Sequence, residues 1–326
     1  MTIDENLLVL LLALLLDRIL GDPQWLWSRL PHPVVLFGEA ISFADRQLNS
    51  VSLTGSQRRM NGVAAIVALL LVALIAGFAF DRFFALFGLA GILLETGLVA
   101  IFLAQKSLAD HVSAVAAALR HEGIAGGRAA VSRIVGRDPE TLDEPAVCRA
   151  AIESLAENFS DGVVAPALWY AVFGLPGLLA YKMLNTADSM IGHKSEKYID
   201  FGWAAARLDD FANWPAARFS ILLIAAGAWL RRGTSACREA IRVAVRDGGL
   251  HRSPNSGRPE AAMAGALNVQ LAGPRIYGGV IVTEPMINNA GRDVATLRDI
   301  EDGVSVFHAS CMVLAGVTFG LFLCFL

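Results

Sequence analysis

The chain has 326 residues, of which 55% are apolar and only 17% charged, with a formal net charge of −3. Soluble domains carry about 25% charged residues, so the deficit points to a membrane protein, and the slight negative charge rules out a global basic field for nucleic acid. Four scattered cysteines, Cys148, Cys237, Cys311 and Cys324, form no C-x-x-C pair and argue against a disulfide framework or thiolate metal site.

The first apolar run, 6–20, follows Asp4 and Glu5 rather than a positive n-region, and no small-x-small cleavage site comes after it. It reads as a retained membrane segment. Asp17 and Gly21-Asp22-Pro23 lead to Pro31-His32-Pro33, where the flanking prolines hold His32 in a rigid extended turn. His32 is either a base or substrate contact, or the structural residue that a lone histidine more often is. Runs 62–80 and 83–104 each supply roughly the 20 apolar residues that a bilayer core requires. Ala and Val at helical spacing predict a helix over 107–121, with Gly123 after it.

Asp143-Glu144-Pro145 carries the signals of a helix start, and that helix is expected to run through 150–158 and stop near Gly162. On it, Glu153, Glu157 and Asp161 fall at i, i+4 and i+8, on one face. Like charges so placed destabilise a helix slightly unless a cation sits among them. Hard oxygen donors suit Mg²⁺, which commonly retains waters and substrate phosphates. A solvated helix face is the plain alternative. Asn158, Ser160 and the entry into an apolar segment weigh toward the metal.

That segment, 163–184, is broken by Gly174-Leu175-Pro176-Gly177, either a kink or the tip of a re-entrant pair of half-helices. Directly after it come Asn185, Asp188 and Ser189. Asp188 is a second metal ligand, a general base, or an ordinary helix N-cap. Gly192-His193-Lys194-Ser195 looks like the end of a P-loop, but a histidine intervenes and Ala187 stands where the upstream glycine belongs, so a P-loop is rejected. Lys194 can still meet phosphate as a point charge. Asp209-Asp210 with Asn213 either extends the acidic site or forms a solvated loop.

Run 216–230 is short and bounded by Arg218 and Arg231-Arg232. The stretch from His251 and Arg252 through Ser253-Pro254-Asn255-Ser256-Gly257-Arg258-Pro259-Glu260 precedes an Ala-rich helical run, 260–271. Ser256 or Gly257 before Pro259 fits a helix N-terminus, whose free N–H groups and flanking arginines make either a phosphate or carboxylate seat or a plain capped loop. Gly273-Pro274-Arg275-Ile276-Tyr277-Gly278-Gly279 is a glycine-rich turn where backbone can approach a ligand. The chain closes on a spanning candidate, 304–326. No sustained period-2 run is present, so a sheet is not expected.

Polar segment 21–61 holds four Lys/Arg, 105–162 six, 185–215 three and 231–303 ten. The positive-inside rule makes the first, second and last cytoplasmic. Six spans satisfy this but put 185–215 outside. A re-entrant 163–184, with 216–230 also failing to cross, gathers every motif on the cytoplasmic face and is preferred. The fold expected is therefore all-α: a polytopic integral membrane helical bundle with cytoplasmic helical segments.

Singly, these motifs identify no reaction. In order, Gly21-Asp22-Pro23, Pro31-His32-Pro33, Glu153-Ser154-x-x-Glu157-Asn158-x-x-Asp161-Gly162, Asn185-Thr186-x-Asp188-Ser189-Met190-x-Gly192 and Ser253 to Glu260 closely resemble the adenosylcobinamide-phosphate synthase family (CobD/CbiB), over nearly the whole chain as one domain. The resemblance implies an enzyme of the cell (inner) membrane in cobalamin biosynthesis. It would use ATP and Mg²⁺ to join adenosylcobyric acid, a corrinoid, to (R)-1-aminopropan-2-ol or its O-phosphate. It would sit among membrane lipid, with no nucleic acid, and with either a second copy or late cobalamin-pathway enzymes as protein partners. A transporter with broken helices and a non-catalytic membrane regulator of the same superfamily are the rival readings.

On the enzyme reading, Glu153, Glu157, Asp161 and Asp188 hold Mg²⁺ on ATP. Lys194, Asn158, Asn185, Ser189, Asp22, Arg252, Ser253, Asn255, Ser256, Gly257 and Arg258 contact ATP or substrate. His193 or His32 takes the proton of the attacking amine, with Asp188 as a further catalytic candidate.

Overall fold

The computed structural model describes residues 2–135, 139–273, 275–277, 280–282 and 284–326. Its helices are α1 (Ile3–Leu20), α2 (Gln24–Trp27), α3 (Pro33–Leu48), α4 (Gly55–Ala85), α5 (Leu89–Phe102), α6 (Gln105–Val131), α7 (Glu144–Phe159), α8 (Ala165–Ile191), α9 (Trp203–Arg232), α10 (Thr234–Asp247), α11 (Gly257–Leu267) and α12 (Leu297–Phe325). The protein is a polytopic helical membrane protein. Four helical stretches, Gly55–Ala85, Leu89–Val131, Glu144–Ile191 and Leu297–Phe325, are long and apolar enough to cross a bilayer. The runs 6–20 and 216–230 lie in α1 and α9 and fall outside this set. Asp4, Glu5, Asp17 and Arg18 dilute α1, and arginines at 218, 231 and 232 bracket the apolar part of α9.

The chain divides into two compact units. The first comprises Met1–Leu103, Ala165–Asn213 and Phe319–Leu326. Here α1 buries Val9, Leu10, Ala13 and Leu14, packing on α5 and α8, while α4 also lies along α8. The 163–184 break is a kink: Gly174 takes φ +62°, a region open to glycine at little cost, and Pro176 lacks the N–H that would continue the ladder. The kink is packed tightly, for a Cβ on Gly77 of α4 would stand 2.4 Å from Pro176 Cα. Beside it, Tyr170 donates a 2.6 Å hydrogen bond to Glu95, both fully buried.

The second unit comprises Ala104–Val164 and Trp214–Thr318. Helix α7 starts where the sequence predicts: Asp143 is the N-cap and accepts from Ala146 N–H at 2.8 Å, and Pro145 occupies the first turn. Its end is different. The helix does not stop near Gly162 but passes through a single π turn, Ser160–Val164, directly into α8. A π turn absorbs an extra residue without ending the helix, so an apolar segment follows unbroken where Gly162 had suggested a terminus. Likewise, α6 continues past Gly123 across a kink.

Helix α11 begins at Gly257 with Ser256 as N-cap, matching the predicted start. It is almost wholly buried, and its small residues let α10 come close. Two short antiparallel pairs follow: β1 (Leu271–Ala272) with β4 (Met286–Ile287), and β2 (Arg275–Tyr277) with β3 (Val280–Val282). Strands of two or three residues are too short to leave a period-2 signal, which is why none was expected. Of the glycine-rich turn, Pro274, Gly278 and Gly279 lie outside the described residues.

Gly77→Ala should lower the thermal midpoint of the detergent-purified protein by several degrees, because overpacking at the kink outweighs the roughly 1 kcal/mol that alanine gains in a helix. An unchanged or raised midpoint in a melting experiment would remove this contact from the account.

Candidate functional site

In the second unit, the acidic face of α7 meets the start of α11. Glu157 Oε1 accepts a 2.8 Å hydrogen bond from Ser256 Oγ. Ser253 Oγ orders the loop, accepting from the N–H groups of Asn255 (3.3 Å) and Ser256 (3.2 Å) and lying 3.2 Å from Ser256 Oγ. His251 Nδ1 accepts from Ser253 N–H at 3.0 Å, while its Nε2 stands 3.9 Å from the buried carboxylate of Glu260. Gly257 is required here, since a Cβ would stand 2.5 Å from His251 Cβ and 2.8 Å from Gly248 O. Arg218 of α9 donates to Asn255 Oδ1 at 2.9 Å. The Ser-Pro-Asn-Ser-Gly segment is therefore a built loop whose second serine presents its hydroxyl to a carboxylate 99 residues earlier.

The three acids, two on α7 and one in the π turn that follows it, differ in environment. Glu153 is buried, and its Oε1 accepts the backbone N–H of Ala272 at 2.7 Å, tying α7 to β1. Glu157 is half-buried against the loop, and Asp161 is half-buried within the π turn, where the wider turn shifts it from its α-helical register. Next to it, the Ser160 hydroxyl is buried without a hydrogen-bond partner among the described residues. Asn158 turns back to Ser154, donating to its carbonyl at 2.9 Å and its hydroxyl at 3.2 Å. The arginines are engaged: Arg258 donates to Ala244 O at 3.2 Å, and Arg252 lies 3.5 Å from Glu284.

The first unit holds the other motifs. Asn185, Asp188 and Ser189 lie in the last two turns of α8, so Asp188 is not an N-cap. Ser189 Oγ donates to Asn185 O at 2.9 Å. Asp209 of α9 is buried and accepts from Asn213 Nδ2 at 2.8 Å and from Asn185 Nδ2 at 3.4 Å. Tyr181 in turn donates to Asn213 Oδ1 at 2.8 Å. Burial first, and then the negative charge of Asp188, push the Asp209 carboxyl up to about 7. Burial also raises Asp210, against the opposing charges of Arg207 and Lys194. His193 and Lys194 are exposed just beyond the helix end. His32 caps α3: its Nδ1 accepts from Val34 N–H at 3.2 Å, its Nε2 lies 3.7 Å from Asp22, and Trp27 packs edge-on at 4.5 Å.

No group of three or more His, Cys, Asp and Glu side chains is arranged to hold a metal among the described residues. Mg²⁺ arriving with a nucleotide needs only one or two carboxylates, the rest of its shell being water and phosphate. Glu157 with Asp161, both half-buried, meets that number, whereas Asp209 accepts amide N–H groups on both oxygens and its carboxyl is pushed up to about 7. Glu153 fits it less well, with one oxygen engaged by a backbone N–H. The sequence reading missed Arg218, His251 and Tyr181. Arg218 carried a signal, as a charge inside an apolar run.

The helices and these polar clusters define a polytopic membrane protein with carboxylate- and amide-rich sites along its helices. The family model described as CobD/Cbib protein matches residues 10–307. The cobalamin biosynthesis protein CobD of a Sinorhizobium species is 69% identical over 310 residues, covering 95% of this chain and 96% of the relative. That of Sinorhizobium fredii is 65% identical over 322 residues, covering 99% and 98%. That of Rhodobacter capsulatus is 42% identical over 311 residues, covering 95% and 94%. No solved structure matches. The chain belongs to the CobD/Cbib family of cobalamin biosynthesis.

Because folded Asp209 holds its proton to about pH 7 while an unfolded aspartate releases it near 3.8, this group makes stability fall as pH rises between those values. Asp209→Asn should flatten that part of the thermal-midpoint profile by several degrees relative to wild type. Superimposable profiles would show that Asp209 is ionised throughout.

Proposed function

We propose that the chain is an ATP-dependent amide synthase that joins the free carboxylate of adenosylcobyric acid to (R)-1-aminopropan-2-ol or its O-phosphate. The observation that carries this reading is the Ser256–Glu157 contact, which unites two motif segments far apart in sequence at a carboxylate-bearing helix face. Family membership supplies the pathway. The cell membrane is the proposed location, with the motifs facing the cytoplasm in keeping with their arginine and lysine content.

A carboxylate resists attack by an amine. Transfer of the ATP γ-phosphoryl group to it gives an acyl phosphate and ADP. The amine nitrogen then forms the C–N bond, and inorganic phosphate departs with the C–O bond electrons. Glu157 and Asp161 of the second unit are proposed Mg²⁺ ligands, and Asp188 of the first unit is a separate candidate; bound Mg²⁺ would neutralise charge on the transferring phosphoryl group. Ser256 orients Glu157, and Asn255, itself held by Arg218, fixes the loop in place. Lys194 meets phosphate as a point charge.

Of the two histidines, His193 suits the base better. With Nδ1 accepting from Val34, neutral His32 carries its proton on Nε2 and has no lone pair to offer. Arg252 and Arg258 would grip the phosphate of the amine only by leaving Glu284 and Ala244 O.

The test is a detergent-solubilised assay with adenosylcobyric acid, ATP, Mg²⁺ and each amine in turn, read by mass spectrometry. A mass gain equal to the amine minus water, dependent on ATP, is expected. Condensation with the free amine alone keeps the synthase and removes the phosphate role of Arg252 and Arg258. No condensation with either amine by folded protein overturns the proposal in favour of a transporter or regulator.

A further inference from the structure

At the other end of α11 from Ser256, the second unit contains a cavity of about 870 Å³. Eight to eleven helical residues separate Gly257 from the part of α11 and its C-cap that line it, about 12–16 Å at 1.5 Å per residue. Four arginines face this space: Arg231 and Arg232 from the end of α9, Arg292 from the segment before α12, and Arg298 from the first turn of α12. The first turn of α10, at Ser235 and Ala236, also lines it, so a helix N-terminus adds its positive end.

The acids in the wall are already matched. Asp302 pairs with Arg232, Asp299 with Arg292, and Glu239 with Arg242 of its own helix. The positive charge left over belongs to Arg231 and Arg298. Arg231 uses Nε to donate to Ser305 Oγ at 2.6 Å, which fixes its guanidinium in place. Arg298 is exposed and makes no ion pair among the described residues. Two fixed carboxylate–arginine pairs with two further guanidiniums make a site for a phosphate, the anion that planar N–H donors match best.

Position says which phosphate. Arg298 stands at the polar end of α12, a helix apolar and long enough to cross the bilayer. Arg231 and Arg232 end the apolar part of α9, directly after Trp229 and Leu230, each 55% exposed. Tryptophan followed by arginine at the end of an apolar helix marks the level of lipid headgroups. A phosphate in this cavity would belong to a molecule whose apolar part enters the bilayer at the level of Trp229 and Leu230.

We propose that this cavity binds a phosphate group at the membrane surface, supplied by the headgroup of an anionic phospholipid and held by Arg231 and Arg298. Basic pockets between membrane helices bind such headgroups by the same charge pairing.

The test uses the full-length protein in neutral detergent. Thermal midpoints are recorded against dioctanoyl phosphatidylglycerol, dioctanoyl phosphatidylcholine, inorganic phosphate and ATP, for wild type, Arg231→Gln and Arg298→Gln. Phosphatidylglycerol should raise the wild-type midpoint in a saturable way, with phosphatidylcholine inert and apparent affinity falling roughly five-fold in each variant. Arg298→Gln changes an exposed side chain and guards against misfolding of the Arg231 variant. A saturable shift with inorganic phosphate or ATP that both variants weaken, with none from phosphatidylglycerol, keeps the phosphate site and assigns it to a soluble ligand. No saturable shift, or one equal in wild type and variants, overturns the proposal.

Discussion

A carboxylate withdrawn from water must be given hydrogen-bond donors, and the organisation of the second unit follows from meeting that demand along α7. Glu153 takes the N–H of Ala272 and so fixes the strand after α11. Glu157 takes the hydroxyl of Ser256 and so fixes the N-terminal end of the same helix. The two contacts clamp both ends of a segment that is itself apolar, small-residued and buried. Removing either acid would strand a donor and release one end of α11, at a cost of about 1–3 kcal/mol.

The π turn belongs to the same economy of donors. It lies between a helix that carries acids and one that carries a long apolar run, and it holds Asp161 and the Ser160 hydroxyl, which has no hydrogen-bond partner among the described residues. Single π turns inside helices recur at functional sites because they redirect a side chain without breaking the rod. In the first unit, the kink at Gly174 does comparable work for α8, whose last turns then bring Asn185 toward Asp209. Each irregularity sits a short distance along its helix from a cluster of carboxylates and amides.

Much of this is written in local sequence. The start of α7 at Asp143, the start of α11 at Gly257 and the break at Gly174 depend on residues within one turn of the event, so capping and proline rules reach them. The acids on α7 were legible as a helical face. What decides their separate environments was not, because Ala272 contributes only a backbone N–H and its strand is two residues long. Nor was the π turn legible, since Gly162 reads equally well as a terminus. Arg218 acts through a tertiary contact, to Asn255, and its neighbours in sequence do not announce that partner.

The central claim, that the α7 carboxylate and the loop hydroxyl act as one catalytic unit, is tested most directly by a double-mutant cycle on turnover with Glu157→Gln and Ser256→Ala. The account predicts that each single variant loses well over tenfold in kcat while remaining folded, with a thermal midpoint lowered by only the few degrees that the lost hydrogen bond costs, and that the double variant is scarcely worse than Glu157→Gln. Wild-type turnover in both single variants would contradict it.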